Sequence, residues 1–263
     1  MPLSTHLDNT SAKFGGGGKG KHFILEREGT SLAFCYIRKN ASTAFKRFFM
    51  GESPFKSRAG ETSSDYAFLQ KFHSAKLNKL TNADKKLLIL RDPLTRVAAV
   101  YRNKFVQRDG NSGIFSDFAN KTGRDPAETS FSDFVTLYLF KARQNDLSDL
   151  DKHLWPQASH LAKVDYDTVL PMENLHAVIS NIIGQEVANM YFLQVTNSSI
   201  SASAPGSNTW MGDIPASRLR TEWEHRGALP RDDQLFNKML HDRLKELYAQ
   251  DLQLVREVTS KLG

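Results

Sequence analysis

The feature that most constrains the fold of this chain is an apolar run that turns abruptly into a basic segment. Residues 32–37 are apolar throughout, which predicts a buried strand. Residues 38–41 then bring two cations, and phenylalanines recur at helical spacing over 42–50. A strand, a loop and a helix are therefore expected in that order, with the helix ending near Gly51, where glycine can adopt a C-cap conformation.

The same order of elements recurs further along the chain. Residues 87–90 are apolar, Arg91 follows them, and Pro93 suits the first turn of a helix that is expected to reach residue 108. Strand–helix units in succession predict an α/β fold with a mostly parallel sheet and helices on both faces. Ligands of such sheets bind at the carboxyl ends of the strands, where both basic segments fall.

The first basic segment combines groups that bind phosphate or sulfate. Ser42 or Thr43 is expected near the helix start, where a hydroxyl can cap free backbone N–H groups. Such a corner offers N–H donors, the positive end of a helix dipole, and the charges of Arg38 and Lys39. The alternative is an ordinary strand-to-helix turn whose cations face water.

Three stretches resemble motifs of sulfotransferases that use 3′-phosphoadenylyl sulfate (PAPS), in particular the carbohydrate sulfotransferases of the Golgi type and their bacterial relatives. The segment 34–45 is similar to the 5′-phosphosulfate loop of that family. Arg-Asp-Pro at 91–93, with Tyr-Arg-Asn-Lys-Phe at 101–105, is similar to its 3′-phosphate motif. The block His-Leu-Trp-Pro-Gln at 153–157 resembles the family's His-Trp-x-Pro-Gln block. The likeness covers roughly residues 30–258.

The resemblance implies a P-loop NTPase-like three-layer fold, in which a mostly parallel central sheet is flanked by helices. It also implies PAPS as the co-substrate, adenosine 3′,5′-bisphosphate (PAP) as the product, and no metal. By the same likeness, Lys39 is expected to stabilise the leaving phosphate and Arg91 to bind the 3′-phosphate. The residues expected to contact the nucleotide are Arg38, Lys39, Asn40, Ala41, Ser42, Thr43 and Arg91.

Two positions depart from the family pattern. Arg38 stands where relatives often have proline, so its role is less defined than that of its neighbours. Ala99 stands where the family usually has a serine that contacts the 3′-phosphate, so one hydrogen bond is lost or comes from another residue, such as Thr95. A neutral hydrogen bond contributes only about 0.5–1.5 kcal/mol net, so this change alone need not abolish binding.

Sulfuryl transfer also needs a base that takes the proton of the acceptor hydroxyl. The resemblance points first to His73, which lies between the two phosphate motifs and is expected at the end of a strand before a short helix. His153 is the second candidate, and its alternative role is structural, tying its loop to the core. Glu61 and Asp65 remain as further candidates.

Further cations could contact the donor or the acceptor. Arg102 and Lys104 follow the second motif on the predicted helix, and a solvated helix face is the expected location of both. Arg226 and Gly227 lie in a segment, 196–230, that is predicted to be irregular and to form a surface lid.

Other local patterns predict the rest of the chain. Glycines and a proline predict a loop over 109–130. Apolar residues at helical spacing predict a helix over 172–183 that ends at Gly184, and one C-terminal helix over 235–254. The glycine-rich residues 1–21 are expected to form a flexible tail. The resemblance implies that residues 22–263 form a single sulfotransferase domain.

Charge, cysteine content and hydropathy limit the class of protein. The 263 residues carry a net charge of +6 and the pI is about 9.3, which favours anionic ligands. The single cysteine, Cys35, excludes a disulfide within the chain and a cysteine-based zinc site. No secretory signal core is visible and no apolar run approaches the ~20 residues of a membrane span. A cytoplasmic protein of bacterial type is therefore expected.

The leading prediction is a sulfotransferase that moves a sulfuryl group from PAPS to a hydroxyl of a glycan or another hydroxylated small molecule. A catalytically weak or inactive member that binds PAP or PAPS is an alternative, and Ala99 alone supports it. A P-loop kinase is disfavoured because the glycine-rich residues 15–21 are followed by His22 and no strand precedes them. No nucleic-acid partner is expected, because the cations form no single run. A nucleic-acid binder remains an alternative because the pI is basic.

Overall fold

Two strands of a central sheet match the apolar runs predicted over 32–37 and 87–90. In the computed structural model, which describes residues 5–7, 20–109, 113–142, 147–193 and 209–260, five strands pair in the order β1-β5-β4-β3-β2. They are β1 (Thr5–Leu7), β2 (Lys21–Arg27), β3 (Thr30–Tyr36), β4 (Lys85–Leu90) and β5 (Tyr166–Pro171). Strands β3, β4 and β5 are parallel, and the two edge strands pair antiparallel to their neighbours.

Helices connect these strands and form a second group on their own. The α-helices are α1 (Ser42–Glu52), α2 (Asp65–Phe72), α3 (Leu77–Thr81), α4 (Pro93–Tyr101), α5 (Gly113–Thr122), α6 (Phe131–Asp133), α7 (Phe140–Ala142), α8 (Leu175–Ile183), α9 (Gln185–Phe192), α10 (Ala216–Arg226), α11 (Asp232–Leu235), α12 (Lys238–Leu247) and α13 (Ala249–Thr259). Short 3₁₀ turns cover Lys56–Glu61, Pro126–Glu128, Leu147–Asp149, Gln157–His160 and Met172–Asn174. Two π-helical segments, Arg102–Val106 and Phe134–Leu139, continue α4 and α6.

The chain divides into two units. The sheet unit comprises Met1–Arg91, Gln157–Thr196 and Gln253–Gly263. The helical unit comprises Asp92–Pro156 and Asn197–Leu252. The prediction of one domain over 22–263 stays a prediction. Of the predicted tail, residues 5–7 form β1 and Lys21 begins β2, whereas residues 8–19 lie outside the described part of the chain.

The sheet unit has three layers, because successive side chains of a buried strand point to opposite faces. On one face, Phe34 and Leu87 pack against the phenylalanines of α1 and against α8 and α9. On the other face, Cys35 and Leu88 pack against Leu254 of α13. The predicted α/β fold, with helices on both sides of a mostly parallel sheet, is confirmed.

The end of α1 differs from the prediction. The helix continues through Gly51 to Glu52, and its C-cap is Ser53. A Cβ atom at Gly51 would lie 2.0 Å from the Tyr191 hydroxyl, so the missing side chain allows α9 to pack closely. Packing between helices, rather than capping, therefore accounts for this glycine.

The helical unit encloses an aromatic core. Tyr101 and Phe131 have ring centroids 5.3 Å apart, and Phe105 and Phe134 lie 4.9 Å apart. Three local predictions fail in the described part of this unit. The loop predicted over 109–130 contains α5, the irregular segment predicted over 196–230 contains α10, and the single helix predicted over 235–254 is divided into α12 and α13. Residues 110–112 and 194–208 lie outside the described residues.

Other predictions for the described residues hold. The helix predicted before Gly184 is present as α8, and Gly184 follows it with φ 89°. Glu28 and Gly29, both with positive φ, turn the chain from β2 into β3. Across the described segments, no helix combines the length and the apolar composition that crossing a membrane requires.

Candidate active site

The loop between β3 and α1 has an unusual backbone. Lys39 and Ala41 both have positive φ, 69° and 55°, a conformation that residues with a Cβ rarely adopt. Helix α1 begins at Ser42, near where it was expected to start, but its N-cap is Ala41 and makes no side-chain capping hydrogen bond, so the N-cap position is not filled by a hydroxyl residue. Because alanine carries no side-chain acceptor, the N-cap residue offers none to the N–H groups of the first turn, which are typical partners of a bound anion.

The side chains on one flank of this loop form an aromatic and cationic cluster. The Arg38 guanidinium lies 5.8 Å from the centre of the Tyr66 ring, and that ring packs on Tyr36 at 5.1 Å and on Phe23 of β2 at 6.1 Å. The hydroxyls of Ser42 and Tyr36 are hydrogen-bonded, and burial raises the pKa of Tyr36. Arg38 and Ser42 therefore face the β2 side of the loop.

Arg91 lies on the opposite flank, at the carboxyl end of β4. Its side chain is largely buried, and Nη1 donates to the main-chain carbonyl of Lys39 at 3.1 Å. Because β3 and β4 are neighbouring parallel strands, their carboxyl ends meet at one edge of the sheet. The structure thus brings together the two basic segments that the sequence places 52 residues apart.

Asn40 and Gln157 connect the two basic segments through buried hydrogen bonds. Asn40 is fully buried, and its Nδ2 donates to the Ile89 carbonyl at 2.8 Å and to Gln157 Oε1 at 2.5 Å. Gln157 Oε1 also accepts from the Arg91 N–H at 3.0 Å, and its Nε2 donates to the Arg91 carbonyl at 2.8 Å. Within the described residues, Asn40 Oδ1 is buried with no hydrogen-bond partner.

Gln157 was missed as a site residue. It is fully buried at the start of a 3₁₀ turn in the sheet unit. The signal was available, because Gln157 is the last residue of the block 153–157 that resembles the family motif. The block alone does not show which of its polar groups contacts the phosphate segments.

The helix after the second basic segment begins as expected. Asp92 caps α4 by accepting from the Thr95 N–H at 2.8 Å, and Pro93 is the first helical residue. Ala99 is buried within the helical unit with 3% exposure. Thr95 is half-buried in the first turn.

His73 has both ring nitrogens engaged. Nδ1 contacts the Ile24 carbonyl at 2.8 Å and Nε2 contacts the Ser53 hydroxyl at 2.9 Å. The ring packs against Phe49, and burial lowers the pKa of His73. Ile24 pairs with Ala33, three residues before the end of β3, so His73 lies beside the edge strand, about 10 Å back from the carboxyl ends.

The surroundings of His73 match the prediction in part. A single antiparallel bridge joins the next residue, Ser74, to Phe23, and the short helix α3 follows. A helix, α2, rather than a strand precedes it. The structure therefore does not bring His73 to the Lys39 loop.

His153, in the helical unit, is held by a carboxylate. Its Nδ1 lies 2.6 Å from Asp151 Oδ1, and the same oxygen accepts from the His153 main-chain N–H at 2.8 Å. The side chain is 10% exposed. Arg96, fully buried, donates from Nη2 to the carbonyls of His153 and Trp155 at 3.0 and 2.7 Å. Arg96 thus fixes the segment that carries His153, a role the sequence did not predict.

The predicted solvated location of Arg102 and Lys104 is wrong. Arg102 is 2% exposed, and its Nη1 donates to the Pro230 carbonyl at 3.0 Å and to Asp232 at 2.6 Å. Lys104 is buried and donates to the carbonyl of Asp109. These cations stabilise the helical unit.

Other candidate residues lie at the protein surface. Glu61 is exposed and paired with Arg58 and Lys71, and the charge-assisted hydrogen bond from Arg58 is the largest cause of its lowered pKa, about 2. Arg226 is 75% exposed, pairs with Glu222 and ends α10, and Gly227 follows it with φ 66°. Over the described segments, no three His, Cys, Asp or Glu side chains are grouped closely enough to hold a metal ion.

A three-layer α/β unit with two cationic strand ends joined at one edge is the arrangement of proteins that bind phosphorylated nucleotides. Comparison with known proteins identifies the class more closely. The model of the sulfotransferase family matches residues 21–254, so the chain belongs to that family.

Two curated relatives match part of the chain. Carbohydrate sulfotransferase 11 of Rattus norvegicus and that of Mus musculus are each 31% identical to it over 101 residues. The match covers 35% of this chain and 28% of the relative, so the chain spans little more than a quarter of each relative. No solved structure matches the chain significantly.

Proposed function

We propose that the protein is a sulfotransferase that moves a sulfuryl group from PAPS to a hydroxyl of a glycan. The observation that carries the proposal is the hydrogen bond from the Arg91 guanidinium to the carbonyl of Lys39. It makes the two cationic segments neighbours at the carboxyl edge of the sheet, as a ligand with phosphate groups at the 3′ and 5′ positions of one ribose requires. Family membership supports the same donor.

The residues of the loop fit a phosphosulfate group. The first turn of α1 follows an alanine cap, the backbone at Lys39 and Ala41 is left-handed, and two cations lie in the same loop. The N–H groups of the first turn, with Ser42 and Thr43, would hold the 5′-phosphosulfate, and Arg91 the 3′-phosphate. Arg38, beside Tyr66, stays a predicted nucleotide contact.

PAPS, when bound, supplies a sulfuryl group attached to a phosphate leaving group. In the proposed reaction the acceptor oxygen forms a new bond to sulfur, its proton passes to a base, and the bond between sulfur and the phosphate oxygen breaks. Negative charge then grows on the phosphate oxygen, and the Lys39 ammonium group is placed in the proposal to stabilise it.

Two histidines, His153 and His73, are the candidates for the base. His153 has the contacts of an oriented base, because Asp151 fixes one ring nitrogen and stabilises the ring once it is protonated. His73 stays a prediction, but its Nε2 would have to leave the Ser53 hydroxyl before it could accept a proton. We therefore favour His153.

Calorimetry with PAP tests the donor site. We expect Lys39→Ala and Arg91→Ala to weaken PAP binding about 10- to 100-fold, because each removes a charged partner of a phosphate. Lys79→Ala and Arg218→Ala, which remove exposed cations on α3 and α10, are the matched controls. Binding of ATP but not of PAP would refute the donor assignment.

Turnover measurements test the base. With radiolabelled PAPS and a panel of hydroxylated acceptors, we expect His153→Gln to lower kcat about 10²- to 10⁴-fold while PAP binding is retained. His73→Gln should instead lower the midpoint of thermal unfolding and leave kcat within a few-fold of that of the parent. The reverse result would return the role to His73.

The acceptor panel also separates the alternatives. A glycan is proposed because both relatives are carbohydrate sulfotransferases. Transfer only to non-carbohydrate hydroxyls would redirect the proposal to a small metabolite. PAP binding without transfer to any acceptor would favour the inactive alternative that Ala99 suggests. Three expectations stay predictions: that the protein is cytoplasmic, that it is of bacterial type, and that it has no nucleic-acid partner.

A further inference from the structure

The Gln157 carboxamide uses both of its polar atoms on the two basic segments. Its Oε1 accepts from the Asn40 side chain at 2.5 Å and from the Arg91 N–H at 3.0 Å, while its Nε2 donates to the Arg91 carbonyl at 2.8 Å. The side chain is fully buried. A buried carboxamide bonded at both ends fixes the distance between its partners, since loss of either bond leaves a desolvated polar group.

The loop that Gln157 contacts has a conformation that requires support. Lys39 and Ala41, on either side of Asn40, have positive φ, which is unfavourable for residues with a Cβ. Such residues persist only where the surroundings impose their conformation. Asn40 is the anchor of this loop, because its Nδ2 is bonded to Ile89 of β4 and to Gln157.

These contacts close a ring. The Arg91 side chain reaches the carbonyl of Lys39, Lys39 is followed by Asn40, Asn40 donates to Gln157, and Gln157 returns to the Arg91 main chain. The ring contains Lys39 and Asn40 of the segment proposed to bind the 5′-phosphosulfate, and Arg91, which is proposed to bind the 3′-phosphate. Its dimensions therefore set the separation of the two binding groups.

We propose that Gln157 is the positioning residue that matches the spacing of the 5′-phosphosulfate loop and Arg91 to the length of the nucleotide donor. The proposal rests on the proposed function, because it assigns the two segments to opposite ends of one ligand. The 3′-phosphate adds its full gain in binding free energy only when Arg91 already stands at the correct separation from the loop, since preorganised groups cost less to order on binding. A merely structural glutamine would stabilise the fold without affecting that gain.

The test compares two available ligands, PAP and AMP, which differ by the 3′-phosphate. We expect Gln157→Met to lower the ratio of PAP affinity to AMP affinity about tenfold in calorimetry, with AMP affinity changed much less. Gln234→Met is the matched control, since Gln234 is also buried and accepts from a main-chain N–H, that of Arg231 in the helical unit. The control should lower the thermal midpoint and leave the ratio unchanged.

The outcomes separate this inference from the proposed function. An unchanged ratio in folded Gln157→Met, or an equal fall in Gln234→Met, overturns the positioning role. If Gln157→Met does not fold, Gln157→Asn decides, because it keeps a neutral carboxamide but is shorter by a methylene group, so it cannot join Asn40 and Arg91 at the same separation. A smaller fall of the ratio in that variant supports the role, and none overturns it. A parent protein that binds PAP no better than AMP contradicts the proposed function instead.

Discussion

Acidification should destabilise this protein through one buried histidine, His22. Its Nε2 lies 2.7 Å from the Tyr166 hydroxyl, and the residue is 6% exposed. Burial, opposed in part by a hydrogen bond that the His22 ring donates to the backbone of Gly20, lowers the pKa of His22 from 6.5 to about 4. Because the folded pKa lies below the unfolded one, the unfolded chain takes up the proton first as the pH falls.

The size of the effect follows from these two pKa values. At about 1.4 kcal/mol per pH unit, the gap between 6.5 and about 4 corresponds to about 3 kcal/mol of unfolding free energy. That stability is fully present above pH 6.5 and is lost progressively down to about pH 4. Urea titrations followed by circular dichroism at several pH values across this window would measure it.

Two variants make the measurement specific. His22→Gln carries no titrating ring, so its unfolding free energy should fall about 3 kcal/mol less than that of the parent between pH 7 and 4. Tyr166→Phe should be less stable but keep the pH dependence of the parent, because burial rather than the hydroxyl is the main cause of the shift. Parallel loss of stability in the parent and His22→Gln would refute the reasoning. The burial of His73 acts in the same direction in all three proteins and cancels in the comparison.

Three further outcomes follow from packing. Gly51→Ala should cost about 1–3 kcal/mol in thermal unfolding, because its Cβ would lie 2.0 Å from the Tyr191 hydroxyl, and Tyr191→Phe in the same chain should restore part of that loss. Arg102→Ala should cost about 2 kcal/mol, since it leaves the Pro230 carbonyl and the partly exposed Asp232 without their donor; a smaller effect than that of an exposed arginine variant would contradict this. Cys35, whose pKa burial raises to about 12, should resist iodoacetamide at pH 8 in the folded protein and react in urea, and fast labelling without urea would show that the strand opens.

Local patterns predicted the elements that carry the site, because those elements have strong local signals. The apolar run of β4 is buried on both faces, and Pro93 marks the start of the helix that follows. In contrast, α10 was missed because it is a polar helix that buries only Ala216 and Leu219, so its apolar residues show no clear period. The helix was therefore not distinguishable from a surface loop.

Contacts between distant parts of the chain account for the other errors. Arg102 was predicted to be solvated because a charged residue on a helix usually is, but its partner Asp232 lies 130 residues later. The local C-cap signal of Gly51 was overridden by the packing of Tyr191. Gln157 stood in a recognised motif, yet nothing near it in the sequence indicates that its partners are Asn40 and Arg91.

The hydrogen bonds of Gln157 also bear on the order of folding. They span 117 residues to Asn40 and 66 to Arg91, whereas the hairpin of β2 and β3 closes over a two-residue turn. Contacts of such long sequence separation form late, because the chain between them must be ordered first. A growing chain that ends at Arg91 would thus carry both basic segments without the buried hydrogen bonds of Gln157 between them, and ligand affinity would report when residue 157, about three-fifths of the way along the chain, has arrived.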